Sequence, residues 1–250
     1  MSADLLSLRM LVISGARPER DLWRQGAGLA SVPIEIVEAD AARAACARLA
    51  RGGIDIVILD SALTDCASVA KAARAAAPGP FVVAAAPANN VAAGRVEGAD
   101  GVIAKPATVE EARDQVERCI RVRLPTRVLI VDDSGTMRSI VRKILSGCRY
   151  ALEVSEAEEG IAALTQMKTG NFDMVFVDYN MPGLNGIETL SEIKRENPRV
   201  AVVMMTSTVD DAIADRAHAA GAAAFLKKPF FPKDIDAVLE RFFGLNVQGR

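Results

Sequence analysis

Phe176-Val177-Asp178-Tyr179-Asn180-Met181-Pro182-Gly183-Leu184-Asn185-Gly186 is the stretch on which the fold turns. An apolar run beginning at Met174 ends in the lone carboxylate of Asp178. Such a run, bounded by turn residues, reads as a buried parallel strand. Pro182, Gly183 and Gly186 make the following segment a tight loop. Asp178 then stands where a strand leaves the sheet at its carboxyl end, the place where open α/β sheets carry their chemistry. Strand-ending Asp residues often only cap a turn, so the reading depends on what accompanies this one.

Working outward, the same alternation of strand and helix fills the chain. The pattern predicts strands at 10–13, 34–37, 54–59, 81–85 and 101–104, the third ending in Asp60 and the fifth leading into Lys105-Pro106. Helices are expected at 17–30, with Pro18 in the first turn, and at 39–51, 66–77 and 108–121. Residues 87–98 hold Pro87, Asn89, Asn90, Gly94 and Gly98, so a helix there is expected to be short or irregular. The order then restarts, with strands at 128–131, 151–154, 172–177, 200–205 and 223–227. Helices are expected at 135–146, 156–168, 187–196, 209–220 and 234–243, and residues 244–250 read as a tail.

Ser14 to Asp60 and Asp132 to Asp178 are both 46 residues, and the two copies are offset by 118. Alternating strands and helices imply a parallel, doubly wound sheet with helices on both faces. The expected architecture is therefore α/β: two tandem (βα)5 domains, residues 1–123 and 124–250. A short linker with Pro125 joins them.

Half of the residues are hydrophobic, enough for a full core, while aromatics are 4%, so that core is aliphatic and Ala-rich. Residues 1–123 carry 15 basic and 15 acidic side chains and residues 124–250 carry 15 and 17, so neither half offers a nucleic-acid surface. Cys46, Cys66, Cys119 and Cys148 lack metal-ligand spacing and read as reduced thiols of a cytoplasmic protein. No signal-peptide layout opens the chain and no run approaches the ~20 apolar residues of a membrane helix.

All strand ends of a parallel sheet fall on one edge. In the second copy that edge gathers Asp132, Asp133, Asp178, Thr206 and Lys228. Three converging carboxylates repel one another and require a divalent cation or protons. Oxygen-only ligands favour a hard ion such as Mg²⁺. A carboxylate held there can attack an activated phosphoryl group, with Lys228, Thr206 and the metal meeting the charge on the phosphoryl oxygens.

Val128-Leu-Ile-Val-Asp-Asp-Ser-Gly-Thr-Met-Arg138, Phe176-Val-Asp-Tyr-Asn-Met-Pro182, Met204-Met-Thr206 and Phe225-Leu-Lys-Lys-Pro-Phe230 together resemble the receiver domain of two-component response regulators. The resemblance covers residues 126–243 and is nearest to the single-domain chemotaxis regulator. It implies a flavodoxin-like fold, with Asp178 as phosphoacceptor and a histidine kinase or phosphotransfer protein as donor. It implies Mg²⁺ bound by Asp133, Asp178 and the backbone carbonyl of Asn180, with Asp132 acting partly through water. Thr206 and Lys228 would contact the phosphoryl group, and the Lys228-Pro229 bond would be cis. Phe225 holds the family's switch-aromatic position; where the chemotaxis protein has Tyr, Phe offers no hydroxyl to a partner. Residues 1–123 resemble a degenerate receiver: Ser14-Gly15 replaces the acid pair, Ala86 stands where Thr206 stands, and Asp60 and Lys105 remain, paired with each other.

The leading expectation is a phosphorylation-controlled signalling protein. Its output is a protein contact rather than a DNA-binding or enzymatic domain, and its first domain is an adaptor open to receiver–receiver pairing. The competing reading is a phosphohydrolase with an aspartyl-phosphate intermediate. Haloacid-dehalogenase-type phosphatases want a second acid two residues after the nucleophile, where this chain has Asn180. His218 reads as a surface residue.

Overall fold

The structure is a computed structural model that describes residues 8–207 and 211–245. It divides into two units. The described part of the first is residues 8–124 with 243–245, and the second lies within Pro125–Phe242. The first unit runs β1 (Leu8–Ile13), α1 (Arg17–Gly28), β2 (Ile34–Ala39), α2 (Ala42–Leu49), β3 (Ile56–Asp60), α3 (Cys66–Ala75), β4 (Phe81–Ala86), β5 (Gly101–Ala104) and α4 (Val109–Arg123). The second runs β6 (Thr126–Val131), α5 (Gly135–Gly147), β7 (Leu152–Ala157), α6 (Gly160–Thr169), β8 (Met174–Asp178), α7 (Gly186–Glu196), β9 (Ala201–Thr206), α8 (Asp211–Ala219), β10 (Ala224–Lys227) and α9 (Pro232–Phe243).

Each unit is one parallel five-stranded sheet, in the order β2-β1-β3-β4-β5 and β7-β6-β8-β9-β10. The order reverses beside β1 and beside β6, which opens a crevice at the carboxyl ends of β1 and β3 and of β6 and β8. Sequence explains the placement of the strands. β3, β4 and β8 are unbroken apolar runs, buried along their whole length because helices cover both faces. β2 (IEIVEA) and β7 (LEVSEA) interleave acidic residues and sit at an edge. The repeat is literal in atomic detail. Asp55 Oδ2 accepts from the Arg9 amide at 2.8 Å, and Asp173 Oδ2 accepts from the Arg127 amide at 2.9 Å.

Side chains define the starts of α4, α5 and α7. Thr108 accepts from the Glu111 amide at 3.2 Å to start α4. Asn185 and Glu188 form a reciprocal capping box at the start of α7. In the first unit Gly26 lets α1 lie directly on α4, because a Cβ there would come within 2.6 Å of the Ala112 backbone.

Several boundaries differ from the sequence reading. β7 continues to Ala157, so α6 begins at Gly160 rather than 156; pairing with β6 outweighs the helical pattern over these residues. The connection from β4 to β5 is two 3-10 turns, Ala88–Asn90 and Ala92–Gly94. Of residues 244–250, read as a tail of the second domain, 244 and 245 are described and group with the first unit. Leu245 is fully buried in the first unit, where its carbonyl accepts from the Val102 amide at 2.9 Å. Two cis peptide bonds are present, the expected Lys228-Pro229 and an unanticipated Ala77-Pro78. No helix among the described residues is long and apolar enough to cross a membrane.

Candidate functional site

The crevice of the second unit lies between the ends of β6 and β8. Asp178 is the last residue of β8, and Asp132 and Asp133 follow β6. Ligand oxygens of the three carboxylates lie within 4.8 Å of one another. Asp132 is fully buried, Asp178 nearly so, and Asp133 is exposed. Lys228 follows β10 and reaches across the sheet edge: its Nζ is 2.7 Å from Asp132 Oδ2 and 2.9 Å from Asp178 Oδ1.

Local structure fixes each group. Asp132 Oδ1 accepts from the Ser134 amide at 2.9 Å, and the Ser134 hydroxyl caps α5 by accepting from the Met137 amide at 3.3 Å. The backbone of Asp178 is approached by Gly186, where a Cβ would lie 2.3 Å from the Asp178 carbonyl oxygen; only glycine lets α7 start so close. Thr206 ends β9 and is fully buried, and its carbonyl accepts from the Lys228 amide at 2.7 Å.

Burial pushes the Asp178 carboxyl above the usual carboxylate range; the Lys228 hydrogen bond opposes this, and Asp132 and Asp133 add to it. Burial pulls the Lys228 ammonium down, but its bonds to Asp132 and Asp178 outweigh this and hold it above its usual value. Three carboxylates face one ammonium. Among the described residues no donor is placed on Asp133 or on Asp178 Oδ2. An oxygen-only set with open oxygens and surplus negative charge suits a hard divalent cation.

One contributor escaped the sequence reading. Arg138 of α5 donates to the Asp132 carbonyl at 2.8 Å and to Glu156 at 3.0 Å, bracing the strand end that carries the acid pair. Arg20 does the same in the first unit, to the Ser14 carbonyl at 2.6 Å and to Glu38 at 3.2 Å. Recurrence of this Arg/Glu pair at the repeat offset was the available signal.

Phe225 of β10 is half-buried against the core and pairs in register with Met204. It lines a surface groove of about 380 Å³ with Pro229, Phe230 and Phe231. Asn180 is exposed beside Asp178, and His218 is exposed on α8.

A family model of the response regulator receiver domain matches residues 128–240. Over 119 residues the chain is 35% identical to chemotaxis protein CheY-3 of Vibrio cholerae serotype O1, covering 47% of this chain and 91% of that protein. This chain belongs to the response regulators. It is also 33% identical over 120 residues to chemotaxis protein CheY of Pseudomonas aeruginosa, covering 47% of this chain and 95% of that one. A solved structure of a probable two-component system response regulator/GGDEF domain protein matches 95% of this chain and 98% of its own. Its TM-score is 0.56 at 22% identity, a likeness of fold.

Both units thus have the flavodoxin-like fold of response regulator receivers, and they differ at the crevice. In the first unit Ser14 and Gly15 follow β1, and Ala86 ends β4 with its carbonyl accepting from the Lys105 amide at 2.7 Å, matching Thr206. Lys105 Nζ is 2.7 Å from Asp60 Oδ1, the pair read from the sequence, and 3.0 Å from Glu19 Oε1, a partner the sequence reading passed over.

Proposed function

We propose that this response regulator takes a phosphoryl group on Asp178 from a histidine kinase or phosphotransfer protein and signals by protein contact. The observation that supports this most is the convergence of Asp132, Asp133, Asp178 and Lys228, with one Asp178 oxygen held by the lysine and the other carrying no donor among the described residues. The Asp178 carboxylate attacks phosphorus, the N–P bond of the phosphohistidine breaks, and its electron pair returns to the imidazole. Lys228 neutralises charge on the acceptor side, and Thr206 lies at the adjoining strand end. Asp132, Asp133, Asp178 and the Asn180 carbonyl would hold Mg²⁺, which supplies charge neutralisation for the phosphoryl oxygens.

The first unit is a degenerate receiver in this reading and acts as an adaptor that is not phosphorylated. Exchange of the acid pair for Ser14 and Gly15 supports it. Both described units are receiver folds, which favours output through a protein surface. Incubation with acetyl phosphate and Mg²⁺ should label the chain with a hydroxylamine-sensitive acyl phosphate, and Asp178→Asn should abolish it. Undiminished labelling of that variant would remove Asp178 from the role.

A further inference from the structure

We infer that Glu19 is a built-in anion that closes the first unit's crevice to divalent metal and to phosphoryl donors. This rests on the reading of that unit as a receiver that is not phosphorylated and names the group responsible.

In the second unit Lys228 divides itself between the strand-end acid Asp132 and Asp178. In the first unit Lys105 divides itself between Asp60 and Glu19. Glu19 lies in the first turn of α1, at the repeat position that Met137 holds in α5. The acid missing from the strand end at Ser14 is thus returned from the helix. It is tethered there, because the Ser14 hydroxyl lies 2.7 Å from Glu19 Oε2 and 3.2 Å from Asp60 Oδ2. A single hydroxyl proton serves the shorter contact.

The consequence is that three of the four carboxylate oxygens are engaged, Asp60 Oδ2 keeping only the longer Ser14 contact. Asp60 Oδ1 accepts from Lys105 and, at 2.9 Å, from the Ala62 amide; Glu19 Oε1 accepts from Lys105 and Oε2 from Ser14. Two carboxylates against one ammonium leave one net negative charge, where the second unit has two. Mg²⁺ needs near-octahedral oxygens and gives up its waters reluctantly; Asp60 Oδ2 could meet it, but a second carboxylate ligand would have to be taken from the Lys105–Glu19 ion pair.

A second feature points the same way. A Cβ on Gly94 would lie 2.1 Å from the Ala86 Cβ, so the turn after β4 is packed down on the position that Thr206 holds in the other unit.

The test uses the full chain with Asp178→Asn, so that Asp60 is the acceptor under examination. In this background Ser14→Asp/Gly15→Asp restores the acid pair with Glu19 kept, and a further Glu19→Met copies the second unit. Acyl phosphate from acetyl phosphate and Mg²⁺ should be at least tenfold higher with Glu19→Met than with Glu19 kept. Equal, measurable labelling of the two overturns the role of Glu19. Labelling of Asp60 in the parent overturns the reading of the unit itself. Emission of Trp23, the chain's single tryptophan and buried in the first unit, reports whether each variant folds. If neither variant labels, amide exchange of Glu19→Gln in the otherwise natural chain decides. Protection around residues 14–20 and 104–107 should fall severalfold, and unchanged protection overturns the proposal.

Discussion

Arg138 braces the backbone of Asp132 without touching the carboxylates of the cluster. Its guanidinium holds the Asp132 carbonyl and Glu156 together, and Glu158 at 2.8 Å completes the set. Arg138→Ala would leave the half-buried Asp132 carbonyl without this donor and Glu156 with Arg142 alone, a loss on the order of 1–3 kcal/mol. Urea unfolding should show that loss, and acetyl-phosphate labelling of Asp178 should fall with it. Lys at this position should recover only part, since an ammonium cannot reproduce the planar fork. A stability change under about 0.5 kcal/mol would place Arg138 among ordinary surface residues. Asp132, Asp133, Asp178 and Lys228 were legible in the sequence because each ends a strand or follows one, and a parallel sheet brings its strand ends together. Arg138 was not, because an arginine in the first turns of a helix looks like any solvated one. Glu19 was missed for the same reason: a first-turn acid already has a sufficient explanation in the helix dipole.

Among elements, the connection from β4 to β5 separates the two copies most. Pro87, Asn89, Asn90, Gly94 and Gly98 forecast that no regular helix forms there, and two 3-10 turns are what the structure holds. How closely that segment packs was not legible, because it depends on which residue of a distant strand end lies beneath it. Gly94→Ala should test the contact. The added methyl would meet Ala86 at 2.1 Å, so the backbone must shift, at a cost of about 1–3 kcal/mol. Gly28→Ala, at the end of α1 with nothing within 4 Å of its Cβ, is the control. It should be neutral or stabilising by about 0.5–1 kcal/mol. Thermal unfolding of the two variants should therefore move in different directions. Equal shifts would mean that the turn yields freely and does not seal the first crevice. The boundary of β7 carries a related lesson. Glu156 and Ala157 fit a helix pattern locally, but strand pairing with Ile130 and Val131 claims them and places Glu156 within reach of Arg138.

Across the whole molecule one fold is used twice, with a three-acid crevice in one copy and two acids sharing one lysine in the other, so a phosphoryl signal should act on the second copy. The route within that unit follows the strands. Thr206 ends β9, and the Lys228 amide donates to its carbonyl at 2.7 Å. Lys227 and Phe225 pair in register with Thr206 and Met204. A movement of Thr206 toward a phosphoryl group on Asp178 therefore pulls on the strand that carries Phe225. That side chain is half-buried between the core and the groove that includes Phe231, and the proposed switch is an exchange between inward and outward packings. The phosphoryl group can only shift this balance by its different interaction with the two packings, and a tenfold shift corresponds to ~1.4 kcal/mol. Amide exchange with and without beryllofluoride and Mg²⁺ should then differ by about that factor over residues 211–243, the expected segment from 209 being described only from 211 onward. Residues 14–20 and 104–107 should not change, because Glu19 and Lys105 hold the first crevice without either ligand. Differences limited to residues 132–136 and 178–186 would show that the crevice binds the mimic without moving Phe225, and the coupling through Thr206 would have to be given up.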